Sequence, residues 1–123
     1  MEFVSFDLAK KLKEKGFPQH WSDHHYILEN EYEDDFFEVG AKYPVEVIYD
    51  YIPTIAAPTI SQVLKWLRDI KTISIEPCAT PHNCWYYMIK CKGEIKATYM
   101  NNKYKTYEQA ALAGIEYVLD NLI

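Results

Sequence analysis

Glycine is scarce in this 123-residue sequence, with four residues in all. None sits in a G-x-G-x-x-G or P-loop arrangement, so neither phosphate-cradling loop is spelled out. The same scarcity leaves no G-x-S-x-G nucleophile setting and no glycine-centred calcium loop. Cysteine is scarce too: Cys78, Cys84 and Cys91 are an odd number crowded into one region, a poor disulfide framework. No apolar run approaches the roughly 18–20 residues a membrane-spanning helix needs. The opening Met1-Glu2-Phe3-Val4-Ser5-Phe6-Asp7 lacks the basic-then-apolar pattern of a secretory signal. Reduced thiols and a cytoplasmic location are therefore the expectation.

What is present is the composition of a folded chain: 49% hydrophobic and 25% charged residues, with eleven tyrosines in a 15% aromatic share. Disordered segments lack such bulk. The length fits one domain, residues 1–123, large enough to bury about two-thirds of its unfolded surface without a metal or disulfide. Thirteen basic and eighteen acidic residues give a net charge of −5, which disfavours whole-molecule attraction to nucleic acid or anionic membrane.

Local signals place the elements. Ser5 is a candidate N-cap, Leu8, Ala9 and Leu12 share one face, and Gly16 falls where a left-handed residue ends a helix, with Phe17 folding back on Leu12. The four lysines Lys10, Lys11, Lys13 and Lys15 read as a solvated face. Residues 19–58 carry little periodicity. Within them Val45–Tyr49 alternates as a strand, and residues 52–58 read as a linker whose prolines break helix or central strand. Thr59 and Gln62 form a capping box ahead of the stripe Ile60, Val63, Leu64, Leu67 and Ile70. Residues 72–76 alternate as a strand expected to stop at Pro77, and residues 84–91 form a longer one with Trp85, Tyr87, Ile89 and Cys91 on one face. Lys92-Gly93 is a tight-turn signal, the return strand is expected to close at Asn101-Asn102, and Thr106 with Gln109 caps a last helix striped by Tyr107, Ala110, Ala111, Gly114, Tyr117, Val118 and Leu122. The expected fold class is α+β. It comprises an N-terminal helix and an irregular acidic region, then an α-β-β-β-α unit over 59–123, the most regular part, with helices on one face of a small antiparallel sheet.

Three segments together resemble a family of small proteins of gut Bacteroides-type bacteria often associated with prophage or other mobile elements. They are Val4–Phe17, Ala57–Arg68 with the Ile-x-Ile strand after it, and Tyr107–Ile115. The resemblance implies an accessory protein of a mobile element and assigns no catalytic residue. The helix–strand–strand–strand–helix order also resembles a double-stranded RNA-binding domain. Thr80-Pro81-His82 stands where that domain has its Gly-Pro-x-His loop, and Lys103 and Lys105 stand near its lysine cluster. Here Tyr107-Glu108-Gln109 replaces the further basic residues that would meet phosphate.

Two groups have metal-ligand chemistry. His20, Asp23, His24 and His25 could gather imidazoles and a carboxylate, although His20 and His24 share a face only on a helix. Cys78, His82 and Cys84 offer soft ligands at a spacing that matches no zinc-finger pattern. In both, ordinary packing is the simpler reading, and no cofactor or metal is expected. The sharpest feature is charge distribution. Residues 29–51 hold eight carboxylates against Lys42 alone, a local −7, while residues 52–123 net +2. A solvated loop is the plain reading of such a run. The functional one is a docking surface for a basic protein partner, with Glu33, Asp34 and Asp35 supplying charge and Tyr32, Phe36 and Phe37 the anchors. The alternative is an RNA- or DNA-binding module working through Lys90, Lys92, Lys103 and Lys105.

Overall fold

The computed structural model describes residues 2–27, 44–46 and 54–123, which fall into two compact units, Met1–Gln62 and Val63–Ile123. In the first unit, α1 (Phe6–Glu14) starts where the Leu8 N–H donates to Ser5 Oγ at 3.2 Å, with Asp7 favourably placed in the first turn. It ends as a Schellman motif: the Phe17 N–H reaches the Leu12 carbonyl at 2.9 Å and the Gly16 N–H reaches Lys13 at 3.1 Å, with Gly16 at φ +93°. Leu8, Ala9 and Leu12 are buried, as their spacing requires.

A single 3₁₀ turn, Gln19–Trp21, follows and leads into β1 (His24–Ile27). β1 is the centre of a three-stranded antiparallel sheet, flanked by β2 (Val45–Glu46) and β3 (Thr54–Ala56). The register is His25↔Val45 on one side and His25↔Ala56, Tyr26↔Ile55 and Ile27↔Thr54 on the other. Residues expected to be irregular and a linker thus contain two strands. β3 survives between prolines because it is an edge: only one side of its ladder needs donors. Its outward Ala56 N–H is taken up by Gln19 Oε1 at 2.7 Å. Residues 2–4 run beside 58–60, with the Val4 N–H on the Pro58 carbonyl at 3.0 Å and the Ile60 N–H on the Glu2 carbonyl at 3.1 Å.

Helix α2 (Ile60–Ile70) opens with the expected box: the Thr59 N–H donates to Gln62 Oε1 at 2.9 Å and the Gln62 N–H to Thr59 Oγ1 at 3.2 Å. Val63 and Leu67 are buried, but Ile70, counted in the apolar stripe, is 58% exposed, and Trp66, left out of it, is 1% exposed.

The second unit is a meander of β4 (Ile73–Ala79), β5 (Trp85–Cys91) and β6 (Glu94–Tyr104), with β5 central, followed by α3 (Tyr107–Asn121). β4 does not stop at Pro77; Pro77 pairs with Tyr87, which an edge strand allows because the missing N–H can point outward. Likewise β6 runs past Asn101-Asn102 to Tyr104, which pairs with Trp85. Lys92 at φ 52° and Gly93 at φ 84° form the two-residue hairpin turn whose primed geometry matches strand twist. α3 packs on β4 and β5. Its buried residues are Ala110, Ala111, Gly114, Ile115, Val118 and Leu119, so Ile115 and Leu119 belong to the core while Tyr107, Tyr117 and Leu122 sit at its margin. At its cap, the Gln109 N–H donates to Thr106 Oγ1 at 3.1 Å, but Gln109 Oε1 accepts from Lys105 N–H at 2.7 Å rather than from Thr106. The fold class is α+β, as the patterning predicts.

Candidate functional site

The residues with the strongest sequence signal, Tyr32, Glu33, Asp34, Asp35, Phe36 and Phe37, lie outside the described residues. The other candidate groups can be placed. His20 lies in the 3₁₀ turn and is exposed, whereas His24 and His25 lie in β1, so the helical face that would pair His20 with His24 does not form. His24 packs its ring on Phe3 at 4.9 Å between centroids. His25 is satisfied without a metal: Nε2 is 3.0 Å from the Ser22 carbonyl and Nδ1 is 2.8 Å from Thr54 Oγ1. A carbonyl only accepts, so the proton of the neutral ring sits on Nε2 and Nδ1 accepts from the threonine hydroxyl. Burial pulls the His25 pKa below its usual value, against the raising effects of the backbone contacts and Asp23.

The thiols are also engaged locally. Cys78 Sγ donates to the Glu76 carbonyl at 3.4 Å and Cys84 Sγ to the His82 carbonyl at 3.7 Å, while the His82 side chain is exposed at the tip of the β4–β5 loop. The loop is closed by Thr80, whose N–H donates to the Cys84 carbonyl at 2.7 Å and whose hydroxyl accepts from Cys84 N–H at 3.2 Å. Tyr86, opposite Cys78 across the strands, has its phenol pushed up by that thiol. Among the described residues, no three of the His, Cys, Asp and Glu side chains converge as a metal site.

The basic residues divide between the two ends of the second unit's sheet. Lys90 and Lys92 stand at the β5–β6 hairpin. Lys105 follows the far end of β6, ten residue steps away, roughly 30 Å of extended chain. The Lys103 side chain lies outside the described residues, and Lys90 and Lys92 form no continuous cationic stripe with Lys105. At the Lys105 end, Trp85 and the exposed Tyr107 meet edge to face at 5.7 Å, beside the β4–β5 loop. At the hairpin end, Arg68 from the last turn of α2 joins Lys90 and Lys92 around a groove of about 360 Å³, with Thr72, Ser74 and Glu76 on its wall. Sequence reasoning missed Arg68. The available signal was the short Lys71-Thr72 connection, which turns α2 directly into β4, the strand that pairs with Lys90.

Within the groove, Glu76 holds Lys90 at 3.3 Å. Among the described residues, the ion pair of Arg68 is with its neighbour Asp69, Nε to Oδ1 at 3.7 Å, and the Lys92 ammonium makes none. Such half-exposed contacts bind weakly and leave donors available. The arrangement can bind an anion. No protein-family model, no curated protein and no solved structure matches the chain.

Proposed function

We propose that the protein is a non-enzymatic interaction protein, an accessory of a phage or mobile element, that docks a basic protein partner through the acidic-aromatic segment 29–51. The charge distribution carries this reading: eight carboxylates against Lys42 in 23 residues, in a chain whose remainder nets +2. Consecutive carboxylates at Glu33, Asp34 and Asp35 build a local field that speeds encounter with a lysine- or arginine-rich surface and rejects acidic ones. Charge alone gives little net affinity, because pairing must repay desolvation. Tyr32, Phe36 and Phe37 supply the apolar area that can hold the partner once it arrives. The mobile-element assignment rests on the resemblance of Val4–Phe17, Ala57–Arg68 and Tyr107–Ile115.

Affinity capture from the native host's lysate, with the triple variant Glu33→Gln/Asp34→Asn/Asp35→Asn beside the unaltered chain, tests the proposal. A basic protein retained by the unaltered chain and lost from the variant, with binding that weakens as salt rises, is the expected result. Partners retained equally by both would overturn it.

A second reading, nucleic-acid binding by the second unit, is favoured by one observation: the strand order and the following helix place the β4–β5 loop, Tyr107 and Lys105 at one end. A gel shift with duplex RNA at low salt tests it, and absence of a complex there removes it.

A further inference from the structure

The hairpin-end groove goes beyond both readings. We propose that it is a binding site for the phosphate group of a small, nucleotide-sized ligand, gripped by Arg68 and Lys92 and lined by Ser74.

Its volume, about 360 Å³, is in the range of small-ligand sites. Three cations, Arg68, Lys90 and Lys92, face one carboxylate, Glu76, so the wall carries a positive excess. Arg68 offers a planar fork that matches two phosphate oxygens at once, and its contact with Asp69 engages only Nε. Lys92 adds a mobile point charge. Ser74 lies directly across from Lys90 in the β4–β5 register, and its hydroxyl has no hydrogen bond among the described residues, which leaves it a donor for the ligand. Thr72 is not such a donor, because its hydroxyl already donates to the Lys71 carbonyl at 2.6 Å.

The backbone supplies an independent observation. Thr72 and Lys92 both hold left-handed φ angles, 56° and 52°, and are tied together by the Lys92 N–H donating to the Thr72 carbonyl at 3.3 Å. A β-branched residue pays to stay in that region, and such strain concentrates where a site fixes its geometry. Here it fixes the spacing between the end of α2, which carries Arg68, and the turn that carries Lys92. Three features limit affinity: the Glu76 carboxylate on Lys90, the Asp69 carboxylate beside Arg68, and the partial negative charge at the C-terminus of α2. A dissociation constant of millimolar order is therefore expected.

Amide chemical-shift titration with inorganic phosphate and with adenosine monophosphate tests the site, using the full chain. Arg68 and Lys92 are exposed, so Arg68→Ala/Lys92→Ala should fold, which circular dichroism verifies. Saturable shifts at Ser74, Lys92 and Gly93, weakened at least about fivefold in that variant, support the proposal. Lys96→Ala is the comparison, since Lys96 lies on the same hairpin, pairs with Glu94 at 3.3 Å and does not line the groove; it should leave binding unchanged. Shifts that do not saturate, or that fall equally in Lys96→Ala, identify a diffuse ion atmosphere and overturn it. So does a result in which duplex RNA, but neither small probe, moves these amides, because the groove would then be reading a polynucleotide backbone.

Discussion

Gly114 faces Ile75 at a separation that leaves no room for a side chain: a β-carbon at Gly114 would lie 2.7 Å from Ile75 Cγ2 and 3.4 Å from Tyr87 Cγ. This approach lets α3 lie flat on β4 and β5. Ile75 Cγ2 is a branch methyl at a stiff χ1, so it cannot swing aside as a long side-chain end could.

Gly114→Ala therefore costs stability despite alanine's better helix propensity. A β-carbon 2.7 Å from a methyl carbon belongs at the costly end of overpacking, about 3 kcal/mol, and propensity returns about 1 kcal/mol, leaving a net loss of about 2 kcal/mol. A urea unfolding midpoint that stays put or rises refutes the contact. In combination with Ile75→Ala, the loss should be smaller than the sum of the two single losses, because the second substitution removes the methyl that the first one strikes.

Gly16 is required for a different reason. Nothing lies within 4 Å of where its β-carbon would be, yet its φ is +93°. Gly16→Ala should cost about 1 kcal/mol from backbone strain alone, and Gly16→Asn less, since asparagine tolerates the left-handed region. Thermal unfolding that ranks alanine above asparagine would contradict this cause.

Features written by neighbouring residues were legible in the sequence. The cap at Ser5, the stop at Gly16, the box of Thr59 with Gln62 and the turn at Lys92-Gly93 each involve residues within a few positions, and each forms. What needed distant partners was not legible. β1 begins with two histidines and finds its partner β3 some thirty residues later, so His24–Ile27 carries no hairpin signal of its own. Pro77 reads as a stop unless the strand is known to be an edge. Arg68 lines one groove with Lys90 and Lys92, more than twenty residues away. The short Lys71-Thr72 connection hints that α2 ends beside β4, but which residues of β5 stand opposite is set only by the sheet register. The acidic segment was legible through charge alone, which marks a segment without giving it a geometry.

Tyr26 offers a test of the first unit's interior. Its hydroxyl donates to the Val4 carbonyl at 2.6 Å, its ring meets Phe6 edge to face at 5.5 Å, and burial pushes its pKa up. Tyr26→Phe keeps the ring and deletes the donor, leaving the buried Val4 carbonyl without it. A loss of about 1–2 kcal/mol is expected, read as a lower urea midpoint with unchanged slope. A neutral result would mean that water takes the hydroxyl's place.

His25 makes the stability of the fold depend on pH in a stated direction. Its neutral ring donates from Nε2 to Ser22 and accepts at Nδ1 from Thr54, and burial holds its pKa below the usual 6.5. Between the folded value and 6.5, the unfolded chain binds the proton more readily than the folded one, so stability rises with pH there. The contribution is complete above about pH 6.5 and is lost as pH falls through the folded value. Carboxylates elsewhere titrate at lower pH and add their own slope, so the informative quantity is a difference between chains. The midpoint of the unaltered chain minus that of His25→Gln, measured in urea, should shrink between pH 7.5 and 5.5. Glutamine can still donate to Ser22 and accept from Thr54 but cannot titrate, which separates the proton from the packing. A difference that is constant over that interval would show that His25 is bound equally well in both protonation states, and that its two hydrogen bonds rearrange without cost.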